Sequence, residues 1–188
     1  MKQSSLKKSM TACLCAALCI VLPQALRVIP GTDGIYGLVH MPVLLCSFAC
    51  GAGSGILCAL LGLGLSFIVV GLPAAVMLPV ILAECIVASG LLELMKRLLS
   101  FRNRAGAISL CSALAILSGR LAGGLLSALL FAPDGAAAPV WTGGYFLVSL
   151  PGMLIEMVLL PVVVTALANA GLVEIKARSA AVQTGEKN

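Results

Sequence analysis

The chain has 188 residues, of which 61% are hydrophobic and only 10% are charged, and its net charge is +5. Its mean hydropathy is +1.14. Soluble domains carry about 25% charged residues, so this composition excludes a soluble globular protein. Apolar stretches of about 20 residues, each long enough to cross a bilayer core of about 30 Å, recur along the chain and predict an all-α polytopic membrane protein.

Six apolar stretches separated by turn residues predict a bundle of six membrane-spanning helices. We expect the first to stay in the protein, because no clear small-x-small cleavage site follows it. We expect residues 1–173 to form one membrane domain and residues 174–188 to be a disordered cytoplasmic tail. The predicted spans run from Ser9 to Val28, Tyr36 to the turn Gly51–Gly55, that turn to Val70, Leu78 to Met95, Ala105 to Phe131 and Tyr145 to Leu172.

The basic residues predict the orientation of these spans, because lysine and arginine concentrate in cytoplasmic loops. Ten of the twelve fall in the N-terminal tail, the segment 96–104 and the C-terminal tail, and only Arg27 and Arg120 do not. Both termini are therefore expected in the cytoplasm. The positive charge is explained by topology, and we expect no nucleic-acid partner.

Sequence motifs for catalysis or cofactor binding are missing. The eight cysteines form no Cys-x-x-Cys pair and His40 is the single histidine, so we expect buried thiols, no metal site and no cofactor. No Ser-His-Asp set is visible, and Gly51–Gly55 lacks the Gly-Lys-Ser/Thr of a phosphate loop. The chain is therefore expected to be no enzyme and to hydrolyse no ATP by itself.

Three charged residues lie well inside the predicted spans, away from their ends, and need a reason to be there, because each costs about 2.5–3.5 kcal/mol at the centre of a membrane helix. At 1.5 Å per residue, Glu84 lies about 9 Å from the outer end of the fourth span, and Arg120 lies about 22 Å from the inner end of the fifth. Both depths fall in the outer half, whereas Glu156 is predicted nearer the midplane. Glu84 and Arg120 form a structural ion pair or line a ligand cavity, and Glu156 is structural or ligand-facing.

Other candidate residues are less specific. His40 lies near the outer start of the second span and is a packed residue or a ligand contact. Trp141 and Tyr145 lie at an expected interface, as membrane anchors or as stacking surfaces for a substrate ring. The small residues Ala12 and Ala16 allow a close helix contact, within the protein or with a partner.

The order and spacing of several short motifs resemble those of the substrate-binding S components of energy-coupling factor (ECF) vitamin transporters. The resemblance covers nearly the whole chain. The motifs are His40-Met-Pro42, Gly51-Ala-Gly-Ser-Gly55, Leu65-Ser-Phe67, Gly71-Leu-Pro73, Leu78-Pro79, Glu84, Gly119-Arg120, Leu150-Pro-Gly152, Glu156 and Pro161.

The resemblance implies a six-helix protein of the bacterial cytoplasmic membrane that captures a vitamin-like micronutrient from outside. It implies a transmembrane T component and two cytoplasmic ATPases as partners, with Ala12 and Ala16 matching the motif that contacts the T component. It places the substrate site in the outer half, the zone of Glu84, Arg120, Trp141 and Tyr145, with His40 nearby. From its charge, Arg120 is expected to suit a substrate with a carboxylate or phosphate.

Two other functions are open from the sequence. A membrane-embedded enzyme or accessory subunit would use Glu84 and Glu156 as acid and base. A stand-alone carrier would draw its energy from an ion gradient.

Overall fold

The computed structural model describes residues 2–27, 40–71, 73–98, 104–131 and 147–169. Within these ranges 94% of residues are helical and no strand is present, which confirms the predicted all-α class. Trp141, Tyr145 and the tail 174–188 lie outside the described residues. The helices are α1 (Lys2–Arg27), α2 (His40–Cys50), α3 (Ala52–Val70), α4 (Leu78–Leu98), α5 (Arg104–Phe131) and α6 (Val148–Asn169).

Five of these helices, all except α2, are long and apolar enough to cross a membrane. Large apolar side chains on them face outward, among them Ile68 and Leu129, which are 78% and 73% exposed. A soluble protein rarely tolerates such a surface, but lipid solvates it well. The helices therefore indicate a membrane-embedded protein. The 11 residues of α2 extend only about 16 Å, which is too short for a full crossing.

Glycine and proline set the ends of the central helices. Gly51 and Gly71 have φ values of 101° and 74°, which side chains other than glycine rarely adopt. The N–H of Gly71 donates to the carbonyl of Phe67 and caps α3. Pro79 lies in the first turn of α4, where its missing N–H costs no helical bond. Of the predicted turn 51–55, only Gly51 lies outside the helices, because residues 52–55 form the first turn of α3.

Helix α2 occupies the middle of the bundle and contacts α1, α3, α4 and α6. Small residues bring its neighbours close. Gly55 of α3 has no room for a side chain against Ser47 of α2. A Cβ at Gly62 would lie 2.6 Å from Cβ of Cys19, so α1 and α3 also pack with their backbones close together. The remaining pairs, α3 with α4, α4 with α5 and α5 with α6, complete the bundle.

One end of the bundle is held by contacts to basic residues. Nζ of Lys96 donates to the carbonyl of Ser47 at 2.9 Å, forms an ion pair with Glu93 at 2.8 Å and lies 6.0 Å from the ring centre of Phe48. At the same end, Sγ of Cys50 lies 3.4 Å from the carbonyl oxygen of Lys8. The C-terminal end of α2 is therefore joined to both α1 and α4. His40, at the N-terminal end of α2, is buried between the helices.

Candidate functional site

A small cavity collects four ionisable side chains from four helices of this otherwise apolar bundle. Its volume is about 10 Å³, which is room for about one water molecule. All four side chains are almost fully buried, between 1% and 6% exposed. The lining residues are His40 and Leu44 of α2, Glu84 and Ala88 of α4, Ile116, Gly119 and Arg120 of α5, and Glu156 of α6.

Glu84 is the centre of the polar network in this cavity. Its Oε2 lies 2.5 Å from Nε2 of His40 and 3.3 Å from Nη1 of Arg120. Its Oε1 accepts a second, longer contact from the same Nη1 at 3.5 Å. The close pairing of Glu84 and Arg120 agrees with the similar depths predicted for them. Glu84 therefore holds α2, α4 and α5 together through charge-assisted contacts.

Two glycines on α5 make room for the Glu84 side chain. A Cβ at Gly119 would lie 3.0 Å from the backbone oxygen of Glu84 and 3.1 Å from Cβ of Ala88. A Cβ at Gly123 would lie only 2.6 Å from Cδ of Glu84. A side chain at Gly119 would crowd the backbone of α4, and one at Gly123 would crowd the Glu84 side chain. The sequence around Arg120 therefore brings the two helices close enough for the ion pair to form.

Glu156 differs from Glu84, because neither of its carboxylate oxygens has a hydrogen-bond donor among the residues that the structure describes. Its side chain is 1% exposed. Nη2 of Arg120 is also buried without an acceptor in the described part of the chain. A buried polar group without a partner costs about 1–3 kcal/mol, and a charged group costs more. Among the described residues, the cavity thus contains two acceptors without a hydrogen-bond donor, both on Glu156 of α6, and one donor without an acceptor, on Arg120 of α5.

The positions of the predicted site residues agree in part with their predicted depths. Glu156, predicted nearer the midplane, lies instead at the same cavity as Glu84 and Arg120. The depth of Glu156 relative to the membrane midplane stays a prediction. His40 also lines the cavity, while Trp141 lies outside the described residues, as Tyr145 does.

The apolar lining residues were not predicted from the sequence. Leu44 follows His40 by four residues, Ala88 follows Glu84 by four and Ile116 precedes Arg120 by four. Residues four apart lie on the same face of a helix, so the helical register of the charged residues was the signal that could have identified them.

The cavity is too small for a vitamin-sized ligand. Pockets for such molecules measure about 300–1,000 Å³. The described residues therefore form a site for a single small group or a water molecule. The segments 28–39 and 132–146, which join α1 to α2 and α5 to α6, lie outside the described residues.

Ala12 and Ala16, the predicted partner contacts, are half-buried and pack against the protein's own core. The carbonyl oxygen of Ala16 would lie 3.3 Å from a Cβ at Gly62 of α3. The exposed apolar stripe of α1 is a different one and includes Met10, Leu14 and Val21. This arrangement favours internal packing, and contact with a T component stays a prediction.

The cysteines lie mostly in the core. Six of the eight are buried, Cys50 is half-buried, Cys13 is exposed, and all eight have free thiols. No group of three or more histidine, cysteine or acidic residues among the described positions is arranged to hold a metal ion. The predicted burial is thus confirmed for six thiols.

Comparison with known proteins finds no match to a family model, to a curated protein sequence or to a solved structure.

Proposed function

We propose that this chain is the substrate-binding S component of an ECF-type importer in a bacterial cytoplasmic membrane. In this proposal it captures a vitamin-like micronutrient from outside and works with a T component and two ATPases. It crosses the membrane six times with both termini in the cytoplasm. This count includes the second span predicted from the sequence, of which α2 is the described part.

The observation that carries this proposal is the cavity formed by His40, Glu84, Arg120 and Glu156. Charged residues within membrane helices are costly and usually mark a substrate or ion site. Four of them, on four separate helices, are brought together at one point here. The order of the glycine and proline motifs adds support, as does the concentration of basic residues in the segments predicted to be cytoplasmic.

Co-purification tests the proposal directly. The tagged chain is co-expressed with the T component and ATPases of an ECF importer, and we expect all four subunits in one complex. Ala12→Trp and Ala16→Trp should weaken the complex, whereas Ala17→Trp, at an exposed position of the same helix, should leave it intact. Monodispersity in detergent controls for folding. A variant that stays monodisperse and retains the complex would contradict the contact through Ala12 and Ala16, and a complex that never forms would contradict the S-component function.

A stand-alone ion-coupled carrier is the second candidate, favoured by the size of the cavity. A volume of about 10 Å³ suits an ion or a single water better than a vitamin. Liposomes containing only this chain separate the two functions. Accumulation of substrate driven by an ion gradient, with no ATPase present, would support the carrier and contradict the S component.

A further inference from the structure

The hydrogen bonds already made in the cavity limit what a ligand can add. The carboxylate of Glu84 is shared between His40 and Arg120. Within the described chain, the groups still without partners are both oxygens of Glu156 and Nη2 of Arg120. A group that enters this cavity therefore meets two free acceptors on Glu156 and one free donor on Arg120.

The charges in the cavity favour a positively charged ligand group. The negative charge of Glu84 lies beside the positive charge of Arg120, so these two offset each other. Glu156 has no such counter-charge within hydrogen-bond distance among the described residues. An anionic ligand would bring a second negative charge to a buried carboxylate, whereas a cationic one would neutralise it.

The size of the cavity indicates which part of a ligand enters it. A volume of about 10 Å³ accepts one water-sized group, and an ammonium or amino nitrogen has this size. A phosphate or carboxylate has three or more heavy atoms and is larger than the space available. The rest of the ligand must lie beyond the cavity.

From these observations we infer that the cavity receives a single protonated amine nitrogen of the substrate. Glu156 accepts the hydrogen bonds of this nitrogen. This inference rests on the proposed function and gives it a substrate class. It replaces the anionic substrate expected from Arg120 alone with a nitrogen-bearing, cationic one.

The test identifies the small molecule that the protein carries. The full chain is purified in mild detergent from cells grown on rich medium, and the molecules released on denaturation are identified by mass spectrometry. We expect a ligand with a cationic amine nitrogen at near-stoichiometric occupancy. Glu156→Gln, which removes the charge and one acceptor oxygen, should lower that occupancy at least tenfold. The matched control is Glu93→Gln, because Glu93 lies outside the cavity and pairs with Lys96.

The outcomes separate the two claims. Wild-type protein that carries no small molecule would overturn the proposed function and this inference together. A bound ligand that lacks such a nitrogen group, or one retained equally by folded Glu156→Gln, would overturn the inference and leave the proposed function standing. The composition of the wild-type ligand decides the matter even if Glu156→Gln does not fold.

Discussion

Gly123→Ala is the change that most directly tests how α4 and α5 are held together. The new Cβ would lie 2.6 Å from Cδ of Glu84, closer than side-chain carbons approach in proteins. The Glu84 side chain is 1% exposed and bound to His40 and Arg120, so its carboxylate can move only by disturbing these contacts. The added methyl group must therefore displace either α5 or the carboxylate from its partners.

The magnitude follows from three effects. Overpacking a buried contact costs about 1–3 kcal/mol. Complete loss of one partner of a buried ion pair costs about 3–5 kcal/mol, so a displaced Glu84 would lose a fraction of that, about 2 kcal/mol. Alanine is favoured over glycine in a helix by about 1 kcal/mol, which acts in the opposite direction. The free energy of unfolding should fall by about 2–4 kcal/mol.

Unfolding of the detergent-solubilised protein, followed by circular dichroism, measures the effect. Gly90→Ala on α4 is the control, because nothing lies within 4 Å of a Cβ at that position, and it should be neutral or slightly stabilising. The same Gly123→Ala change is also made in a Glu84→Ala, Arg120→Met background, where the crowded carboxylate and its partner are gone. There we expect no loss. An equal loss in both backgrounds would refute the reasoning, because the clash would then not involve Glu84.

Three further predictions concern stability, measured by the same unfolding experiment. Glu84→Gln leaves Arg120 buried without a counter-charge and should lower the free energy of unfolding by about 3–5 kcal/mol. Glu93→Gln, at a part-exposed ion pair, should lower it by only about 0–1 kcal/mol. Similar losses in the two variants would contradict the role of burial. Gly62→Ala, crowded by α1, should cost about 1–3 kcal/mol, and Gly64→Ala, which meets open space, should cost nothing. Glu156→Met removes a buried carboxylate that has no donor among the described residues and should stabilise the fold by about 1–3 kcal/mol. A loss of that size would mean that Glu156 has a stabilising partner.

The meeting of Glu84 and Arg120 could be predicted from the sequence because it depends only on helix direction and rise per residue. The prolines fix where α4 begins, since Leu78 is the predicted and the observed first residue. From that point each residue adds about 1.5 Å, so the depth of Glu84 follows by counting. The glycines around Arg120 then indicate the face on which α5 approaches. The contact between Glu84 and Arg120 could therefore be predicted because α4 and α5 are neighbours and the start of α4 is marked in the sequence.

The rest of the cavity could not be predicted by the same counting. Counting along the sixth span predicts Glu156 nearer the midplane and does not indicate that it shares a cavity with Glu84. Which donors remain free depends on atomic distances. The sequence shows that Arg120 is charged, but only the structure shows that Glu84 already offsets that charge.

The two carboxylates in the cavity have different physical explanations. Glu84 joins three helices through His40 and Arg120, and a structural role accounts for every contact that it makes. Glu156 makes no hydrogen bond among the described residues and contributes only the cost of its own burial. Stability alone would favour an apolar residue at that position. Polar groups that destabilise a fold without compensation are expected at functional sites. Replacing Glu156 is therefore expected to have two effects. The protein should become more stable, and the substrate site should lose its ligand.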